Sequence, residues 1–416
     1  MTGRWLTQDQ ERAAAYDNDP LTTPRISVNL LLDLHETSAR LVEDAAAITV
    51  PTQLLISGDD KVVRQSSQQR FFERLGAKTK ERHVFPGLRH DTLGEKDRAQ
   101  VTEKVGAFIR ERFRMPLEQL SLLDADREGF TREEADRLAR PLPALSASNL
   151  SLSAQRLGLK LGGWLSTGIR LGHETGFDSG STLDYVYRNE PQGLTPIGRW
   201  MDRRYLDAIG WRGIRQRKVH VEEMLRRAMD RVAETGQPLR LLDIAAGHGR
   251  YVLEAIEGSG RRPDAVLLRD YSELNVEAGR RLIEAKGLGD IASFERGDAF
   301  DAESLAAVSP QPSIATVSGL YELFPDNERI RASLDGLARA LPEGGYLIYT
   351  GQPWHPQLEM IARCLTSHRQ GQAWIMRRRS QAEMDQLVAA AGFEKLEQRI
   401  DDWGIFSVSL ARKVTA

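Results

Sequence analysis

The sequence predicts an α/β fold in which a doubly wound, mostly parallel sheet ends in an antiparallel strand pair. Strand and helix patterns alternate five times between residues 239 and 391, which is typical of parallel β/α units. Two further strand patterns, at 394–401 and 405–413, follow with no helix between them. The chain has 416 residues. Because an ordinary domain has roughly 100–200 residues, this sheet domain is not expected to stand alone.

Five short apolar runs are the strand candidates of the sheet, and five helical patterns lie between and after them. The strand candidates are residues 239–245, 265–270, 293–298, 313–319 and 345–351. The helical patterns are residues 250–258, 272–286, 327–341, 356–368 and 380–391. A complete sheet domain is therefore predicted over residues 236–416.

The segment before this domain, residues 114–235, is predicted to be a linker and a helical cover. Prolines and serines break up Leu-rich and charged pieces between 114 and 150, as in a linker. Apolar residues then recur with helical spacing from 150 to 171. We expect this stretch to be one helix that packs in the core, since its glycines weaken it as a free surface helix. Helical patterns continue to about residue 234.

The front of the chain shows a second, shorter alternation of strands and helices. Residues 52–57 and 83–85 are strand candidates, and a helical pattern follows each of them. Residues 26–47 upstream also have the pattern of a helix. Residues 1–113 therefore form a third predicted region, a small α/β unit.

The composition excludes several classes of protein. The 57 basic and 59 acidic residues give a formal charge of −2, which argues against a nucleic-acid binder. The single cysteine, Cys364, excludes internal disulfides and multi-cysteine metal sites, and no metal is expected. No signal peptide and no membrane span are expected, since no apolar run reaches about 18 residues. We therefore expect a cytoplasmic protein, and the sequence leaves self-association into a homo-oligomer open.

The first strand of the sheet runs into a glycine-rich turn, Asp243-Ile-Ala245-Ala-Gly247-His-Gly249, and a helix pattern opens directly behind it. Glycines let the backbone come close to a ligand, and the start of a helix presents unpaired N–H groups. The sequence therefore predicts a turn that can hold a nucleotide or the carboxylate end of an amino acid. Taken alone, it could equally be a tight loop.

Two more acids lie at the ends of the next strand candidates. Asp270 is placed to accept hydrogen bonds from the hydroxyls of a ribose, and Asp298 from an exocyclic amine. Strand ends of a doubly wound sheet open on the same carboxyl edge, where ligands bind. The predicted cofactor site also includes three neighbours of these strand ends, Tyr271, Ala299 and Ser318.

Over about residues 236–416 the sequence resembles the class I S-adenosylmethionine-dependent methyltransferases, which have a Rossmann-like fold. The resemblance rests on the Asp243–Gly249 turn, on the two strand-end acids and on the late antiparallel strands. It implies S-adenosylmethionine as cofactor. The family's usual first glycine is Ala245 here. A dehydrogenase is disfavoured because Val252 stands where the G-x-G-x-x-G fingerprint has its third glycine.

In the resembled family, the segment after the fourth strand lies beside the transferred methyl group. Tyr321 and Glu322 are the titratable residues of that segment, and His355 follows the fifth strand. All three are candidate catalytic residues. The alternatives stay open: Tyr321 packs, Glu322 caps the following helix, and His355 is a solvated or hydrogen-bonded loop residue.

The helical segment before the domain is a candidate lid. This segment contains Tyr185 and Arg215, and either of them could contact the cofactor. His248 in the glycine turn could do so as well. The alternative is a helical cover that simply packs on the sheet.

The front region contains the stretch from Pro51 to Val63, then Phe71-Phe72, then the stretch from Phe85 to His90. With these motifs it resembles the C-terminal part of α/β-hydrolases of the monoacylglycerol lipase and lysophospholipase type. The resemblance implies that Asp60 is the acid and His90 the imidazole of a triad. In that fold the serine precedes the acid on a G-x-S-x-G elbow, and this sequence contains no such elbow. The region is therefore expected to be an inactive remnant.

These observations predict a methyltransferase for a small-molecule acceptor. The hydrolase resemblance and the amphipathic 150–171 stretch suggest an acceptor that is lipid or acyl-derived. Two alternatives remain: a non-catalytic scaffold with a cofactor fold, or a bifunctional hydrolase and methyltransferase whose serine lies outside this chain.

Overall fold

A computed structural model describes residues 2–23, 25–116 and 120–414. The chain divides into two compact units, the first ending at Leu120 and the second beginning at Ser121. We call them unit 1 and unit 2. Unit 2 contains both the sheet domain and nearly all of the cover, so the boundary predicted at residue 235 falls inside one compact unit.

Unit 1 contains two parallel strands. Its elements are α1 (Gly3–Leu6), α2 (Gln10–Asn18), α3 (Val28–Glu43), a 3-10 helix (Ala45–Ala47), β1 (Thr52–Ser57), α4 (Gln65–Arg74), β2 (Lys80–Phe85) and α5 (Ala99–Arg114). Thr52 lies opposite Lys80 in the parallel pair. One small buried cluster contains Phe85, Leu88 and Val101, and α3 has no buried side chain. Unit 1 thus has little core for its length.

Unit 2 begins with helices. They are α6 (Phe130–Ala139), α7 (Ala147–Gly162), α8 (Thr167–Thr175), α9 (Gly180–Arg188), α10 (Pro196–Leu206) and α11 (Ile209–Thr235). Helix α6 lies in the stretch predicted as a linker. The sequence indicated the helices of the cover but not this one.

The sheet domain follows. Its strands are β3 (Arg240–Ile244), β4 (Ala265–Asp270), β5 (Ala292–Arg296), β6 (Ile314–Val317), β7 (Tyr346–Gly351), β8 (Phe393–Ile400) and β9 (Ser407–Lys413). Its helices are α12 (Arg250–Glu257), α13 (Glu273–Ala285), α14 (Ala302–Ala306), α15 (Asn327–Ala340), α16 (Leu358–Cys364) and α17 (Gln381–Ala390), with a 3-10 helix at Tyr321–Leu323.

The strand order confirms the predicted fold class. The seven strands are ordered β5-β4-β3-β6-β7-β9-β8. Neighbours from β5 through to β7 are parallel, and β9 runs antiparallel to both β7 and β8. The order reverses at β3, which pairs with β4 on one side and β6 on the other. In open α/β sheets, ligands bind at this switch point, outside the carboxyl ends of the strands.

Two buried clusters cover the two faces of the sheet. Leu241 belongs to the cluster that contains residues of α11, α12 and α13, whereas its neighbour Leu242 belongs to the cluster with α15 and α17. Successive side chains of a strand point to opposite faces, so adjacent leucines are shared between the two layers. This packing fixes the carboxyl edge of the sheet.

The single core helix predicted over 150–171 is wrong in two respects. It is two helices, α7 and α8, and Ser166 caps the second by accepting a hydrogen bond from the Ile169 N–H. Moreover, Leu157 and Leu161 are more than half exposed. These two leucines are exposed because a different face of α7 is buried. On that face, Leu159 packs on the buried cluster of the cover.

Candidate functional site

The turn after β3 has the conformation that a glycine-rich sequence permits. Gly247 and Gly249 have φ values of +60° and +73°, a left-handed region that glycine enters without steric cost. Space matters too at Gly249, where a Cβ atom would lie 2.4 Å from Leu268 Cδ1. Helix α12 begins at the next residue, so its free N–H groups open on this turn.

Ala245 takes the same left-handed conformation without being a glycine, with φ +54°. This costs an alanine about 1 kcal/mol. We expect Ala245→Gly to raise the free energy of unfolding by up to about 1 kcal/mol, reduced somewhat by the greater freedom of glycine in the unfolded chain. Denaturant unfolding measures this. Gly249→Ala is the opposite control and should destabilise; an Ala245→Gly variant less stable than the wild type would contradict the turn geometry.

Asp243 is fully buried beneath the turn. Its Oδ1 accepts a hydrogen bond from the Tyr251 hydroxyl at 2.9 Å, and its Oδ2 has no partner among the residues that the structure describes. Burial raises the pKa of Asp243 well above its ordinary value, Tyr251 partly offsets this, and the Asp270 carboxylate adds to it. A buried acid that lacks one partner is suited to a ligand that brings a positive charge or a hydrogen-bond donor.

Asp270 joins the end of β4 to the turn. Its Oδ2 accepts from the Gly247 N–H at 2.9 Å, and its Oδ1 accepts from the Ser272 N–H and the Asn275 amide at 2.9 and 3.0 Å. A carboxylate has about four acceptor positions, so one remains for a ligand hydroxyl. The adjacent Tyr271 is 67% exposed.

The other predicted cofactor residues also lie at this edge. Asp298 follows β5; it is exposed and accepts a hydrogen bond from the Phe300 N–H at 2.9 Å. Ala299 beside it is buried, and so is Ser318, which follows β6. The structure thus brings all the strand-end residues predicted for a cofactor to the carboxyl edge of one sheet, and their role in binding stays a prediction.

The first turn of α9 covers the glycine turn. The Gly180 Cα lies 3.4 Å from the position that a Cβ on Gly247 would take, and the Ser181 hydroxyl lies 3.3 Å from His248 Nε2. Asp184 links α9 to Arg250, the first residue of α12. Its carboxylate accepts hydrogen bonds from Arg250 Nε at 2.6 Å and from Arg250 Nη2 at 3.2 Å. This pair joins residues 66 apart in sequence, so their separate sequence contexts gave no signal for it.

Tyr185 and Arg215, the lid residues that the sequence suggested, contact the cover instead. The buried Tyr185 hydroxyl donates to Asp202 at 2.7 Å. Arg215 donates to the Leu206 carbonyl at 2.8 Å. Neither forms a hydrogen bond with the glycine turn in the structure, so the contacts that hold the cover on the turn come from other residues of α9.

A cavity of about 220 Å³ lies next to the loop after β6. Gly319 lines it and directly follows Ser318 at the cofactor edge. The wall is mostly apolar and includes the side chains of Trp211, Met360, Trp374, Met376 and Phe406. The Trp374 indole Nε1 is buried with no partner within the described residues. An apolar cavity with a few polar groups is the usual form of a small-molecule site.

A buried ion pair contributes to the cavity wall. Arg217 on α11 donates from Nη1 to Glu322 Oε1 at 2.9 Å, and both side chains are at least 94% buried. Burial alone would lower the pKa of Arg217, but Tyr187 and Glu322 raise it above its ordinary value. The second oxygen, Glu322 Oε2, has no partner in the described parts of the chain. The sequence singled out Glu322 but not Arg217.

Tyr321 lies in the core rather than on the cavity wall. Its side chain is 2% exposed and belongs to the buried cluster beneath α15. Its hydroxyl is 2.9 Å from Ser333 Oγ. Burial raises the pKa of Tyr321 above its ordinary value. This placement favours the packing role that the sequence left open and gives no support to a catalytic one.

His355 is buried in the cavity wall. Its Nδ1 accepts a hydrogen bond from the Gln357 N–H at 3.0 Å. Burial lowers the pKa of His355 to about 4, so at neutral pH the ring is neutral and its proton is on Nε2. The ring therefore offers a hydrogen-bond donor in this structure, and a catalytic role for His355 stays a prediction.

His355 should make unit 2 sensitive to acid. The ordinary pKa is 6.5 and the folded value is about 4, so the unfolded chain takes up the proton first as pH falls. The contribution of neutral His355 to the free energy of unfolding is fully present above pH 6.5. It decreases by about 3 kcal/mol as the pH falls toward 4. His355→Gln should lack this component, whereas the exposed control His173→Gln should retain it. Equal acid losses in wild type and His355→Gln, measured by denaturant unfolding, would contradict the assignment.

Two of three consecutive buried arginines, Arg377 and Arg379, hold the loop that carries Glu322, and Arg377 donates to the Pro325 carbonyl. Arg379 donates to the carbonyls of Tyr321, Phe324 and Pro325. Burial and, after it, the charge of Arg377 lower the pKa of Arg379 to about 10. The arginine run was visible in the sequence, but it looks like a solvated surface until the structure shows its partners.

In unit 1, the two predicted remnant residues lie together. His90 Nδ1 is 3.0 Å from Asp60 Oδ2. Asp60 also accepts from the N–H groups of Val62 and Val63. Burial would raise the pKa of Asp60, but the hydrogen bonds from Val63, His90 and Val62 bring it below its ordinary value.

Among the described residues, none of the helices has the length and apolar composition of a membrane span. The same residues include no group of three or more His, Cys, Asp or Glu side chains that could hold a metal ion.

Comparisons with known proteins match both parts of the chain. A family model described as "putative methyltransferase" matches residues 105–413. A model described as "serine aminopeptidase, S33" matches residues 1–97. These matches confirm the two resemblances seen in the sequence, to a hydrolase in the N-terminal part of the chain and to a methyltransferase in the C-terminal part.

Individual relatives add the extent of the similarity. The uncharacterized protein YnbC of Escherichia coli (strain K12) is 53% identical over 415 residues, which is 99% of this chain and 70% of that protein. A crystal structure described as a possible exported protein from Bordetella parapertussis shares the fold, with a TM-score of 0.50, 17% identity, and coverage of 71% of this chain and 96% of its own. A SAM-dependent methyltransferase from Methanosarcina mazei covers 43% of this chain and 95% of its own, with a TM-score of 0.34 and 19% identity.

Proposed function

Because the chain belongs to the family described as putative methyltransferase, we propose that unit 2 binds S-adenosylmethionine at the glycine turn and methylates a small molecule held in the cavity. The observation that carries this proposal is Asp243, a buried carboxylate beneath a left-handed glycine turn, one of whose oxygens has no partner among the described residues. The residues at the site fit the cofactor, which has a positively charged sulfur, an amino group and ribose hydroxyls for these acids.

Each end of the cofactor has a matching group along the carboxyl edge. Asp270 offers its remaining acceptor position to a ribose hydroxyl, and the exposed Asp298 can accept from the adenine amine. The N–H groups at the start of α12 suit the carboxylate of the amino-acid end. When bound, S-adenosylmethionine supplies a methyl group that its sulfonium has already activated for transfer.

The residues of the chain align the acceptor with the methyl group and exclude water from the site. The first turn of α9 lies over the glycine turn and keeps water from that side, while the apolar cavity holds the acceptor. Alignment of the reactants and exclusion of water account for much of the rate that an enzyme gives to such a displacement. The balanced charge of the chain supports a small molecule rather than a nucleic acid as the acceptor.

The test is transfer of a labelled methyl group. The full chain is incubated with methyl-labelled S-adenosylmethionine and an extract of small metabolites, and the labelled product is identified by mass spectrometry. We expect label in one product or in a few related products. Absence of both label transfer and cofactor binding would favour the alternative, a scaffold that keeps the fold without the reaction.

For unit 1 we propose that the Asp60–His90 pair is a remnant that hydrolyses no ester in this chain. The pair retains its hydrogen bond, but the sequence contains no G-x-S-x-G elbow, and without a nucleophile the pair has no group to activate. The purified chain should therefore show no esterase activity that a phosphonate inhibitor blocks. Any such serine-dependent turnover would contradict this proposal.

A further inference from the structure

We propose that the acceptor is a neutral, ring-sized phenol that loses its proton to Glu322 and is methylated on oxygen. This inference rests on the proposed function, because it names the class of substrate for the same site. It comes from the size of the cavity and from the hydrogen-bonding groups in its wall.

Size and wall chemistry favour a small ring. The cavity of about 220 Å³ is smaller than the roughly 300–1,000 Å³ of sites for drug-sized ligands. Aromatic side chains line it, including Trp211, Trp374 and Phe406, and aromatic pairs gain from offset or edge-to-face packing. The sequence suggested a lipid or acyl-derived acceptor, and this space favours a compact ring over a long acyl chain.

Glu322 needs a hydrogen-bond donor. Arg217 binds Oε1 at 2.9 Å, and Oε2 is buried without a partner in the described structure. Leaving a buried acceptor unpaired is unfavourable. A ligand that carries a hydroxyl or an N–H group in the cavity supplies the missing donor.

Two other groups of the wall need an acceptor. The Trp374 indole N–H and the Arg217 Nε–H are both buried with no partner in the described residues. A hydroxyl both donates and accepts, so it meets both needs. An ammonium group has no acceptor and a carboxylate has no donor, so neither does.

The chemistry favours a phenol among hydroxyl compounds. A phenolic hydroxyl has a pKa near 10, so a carboxylate can take its proton far more readily than that of an aliphatic alcohol. The phenol oxygen forms a new C–O bond to the methyl carbon, while the C–S bond of the sulfonium donor breaks and leaves its electron pair on sulfur. The proton goes to Glu322 and then to water. The products are a methyl ether and a neutral thioether.

The first experiment measures binding without cofactor. The full chain is titrated calorimetrically with four probes of similar size: p-cresol, its methyl ether, 4-methylbenzoate and 4-methylbenzylamine. We expect p-cresol to bind at least about tenfold more tightly than each of the other three. Equal binding of p-cresol and its ether, or tighter binding of either charged probe, would overturn the inference.

Matched variants locate the site. Trp374→Phe should weaken p-cresol binding about tenfold, which corresponds to one lost hydrogen bond, while the exposed control Trp200→Phe should leave it unchanged. Glu322→Gln should remove the preference for the phenol over its ether, and the exposed control Glu303→Gln should keep it. If Trp374→Phe binds p-cresol as the wild type does, the cavity is not the phenol site.

The second experiment adds S-adenosylmethionine and measures formation of the methyl ether by mass spectrometry. Glu322→Gln should lower the rate by about 10²-fold or more and leave cofactor binding unchanged. The two proposals fail differently. Selective phenol binding without cofactor binding would refute the proposed methyl transfer, whereas cofactor binding without phenol selectivity would refute the acceptor class.

Discussion

Replacing Arg377 with methionine is expected to lower the free energy of unfolding of unit 2 by about 3–5 kcal/mol. Its guanidinium is fully buried and donates from Nη2 to Glu383 Oε1 at 2.6 Å and to Asn327 Oδ1 at 2.9 Å. It also donates from Nε to the Pro325 carbonyl at 2.9 Å. Without it, Glu383 is left as a buried charge without its main partner, which accounts for the size of the loss.

Denaturant unfolding of the full chain, followed by a signal from unit 2, measures this loss. The surface variant Arg339→Met is the control, since its partner Glu303 is exposed and the pair is solvated; it should leave stability nearly unchanged. The double variant Arg377→Met, Glu383→Met should be more stable than Arg377→Met alone, because it removes both charges. A loss below about 1 kcal/mol in Arg377→Met would contradict the buried pair.

Asp270→Asn is expected to weaken binding of S-adenosylmethionine by about 10- to 100-fold, since a hydrogen bond to a charged group contributes roughly 1.5–3 kcal/mol. The carboxylate accepts from the Gly247 N–H on one oxygen and from the Ser272 N–H on the other. An amide replaces one of these oxygens with a donor. The new NH2 group then either faces a backbone N–H that needs an acceptor or takes the place of the oxygen that would accept from the ribose hydroxyl.

Glu273→Gln is the matched control for Asp270→Asn. It makes the same chemical change three residues away, on the exposed first turn of α13, and should leave cofactor affinity unchanged. Calorimetric titration of both variants provides the comparison. Equal affinity of wild type and Asp270→Asn would show that the end of β4 does not hold the ribose.

The elements that could be predicted from the sequence are those with a local pattern. The strand β3 and the turn to Gly249 follow from an apolar run that ends in glycines, and β9 follows from its alternation. The conformation of Ala245 did not follow, because it is imposed by the turn and not by the residue. The break between α7 and α8 did have a signal, the paired glycines before Ser166, but apolar periodicity outweighed it.

The chemical state of the site depends on contacts that no local sequence pattern shows. The Gln357 N–H, two residues along the chain, occupies His355 Nδ1, and the cavity wall buries the ring. Arg217, 105 residues away, holds one oxygen of Glu322, and the other oxygen has no partner among the described residues. Sequence reasoning therefore found Glu322 and His355 as candidates but could not assign what each of them does.

Binding of S-adenosylmethionine to the full chain tests the central claim most directly. In a calorimetric titration, we predict saturable binding of about one molecule per chain with a Kd well below 1 mM, which corresponds to a binding free energy stronger than about −4.1 kcal/mol. S-adenosylhomocysteine should compete for the same site. No saturable heat at about 1 mM cofactor, from a chain shown to be folded, would contradict the claim that the glycine turn and its acids form a cofactor site.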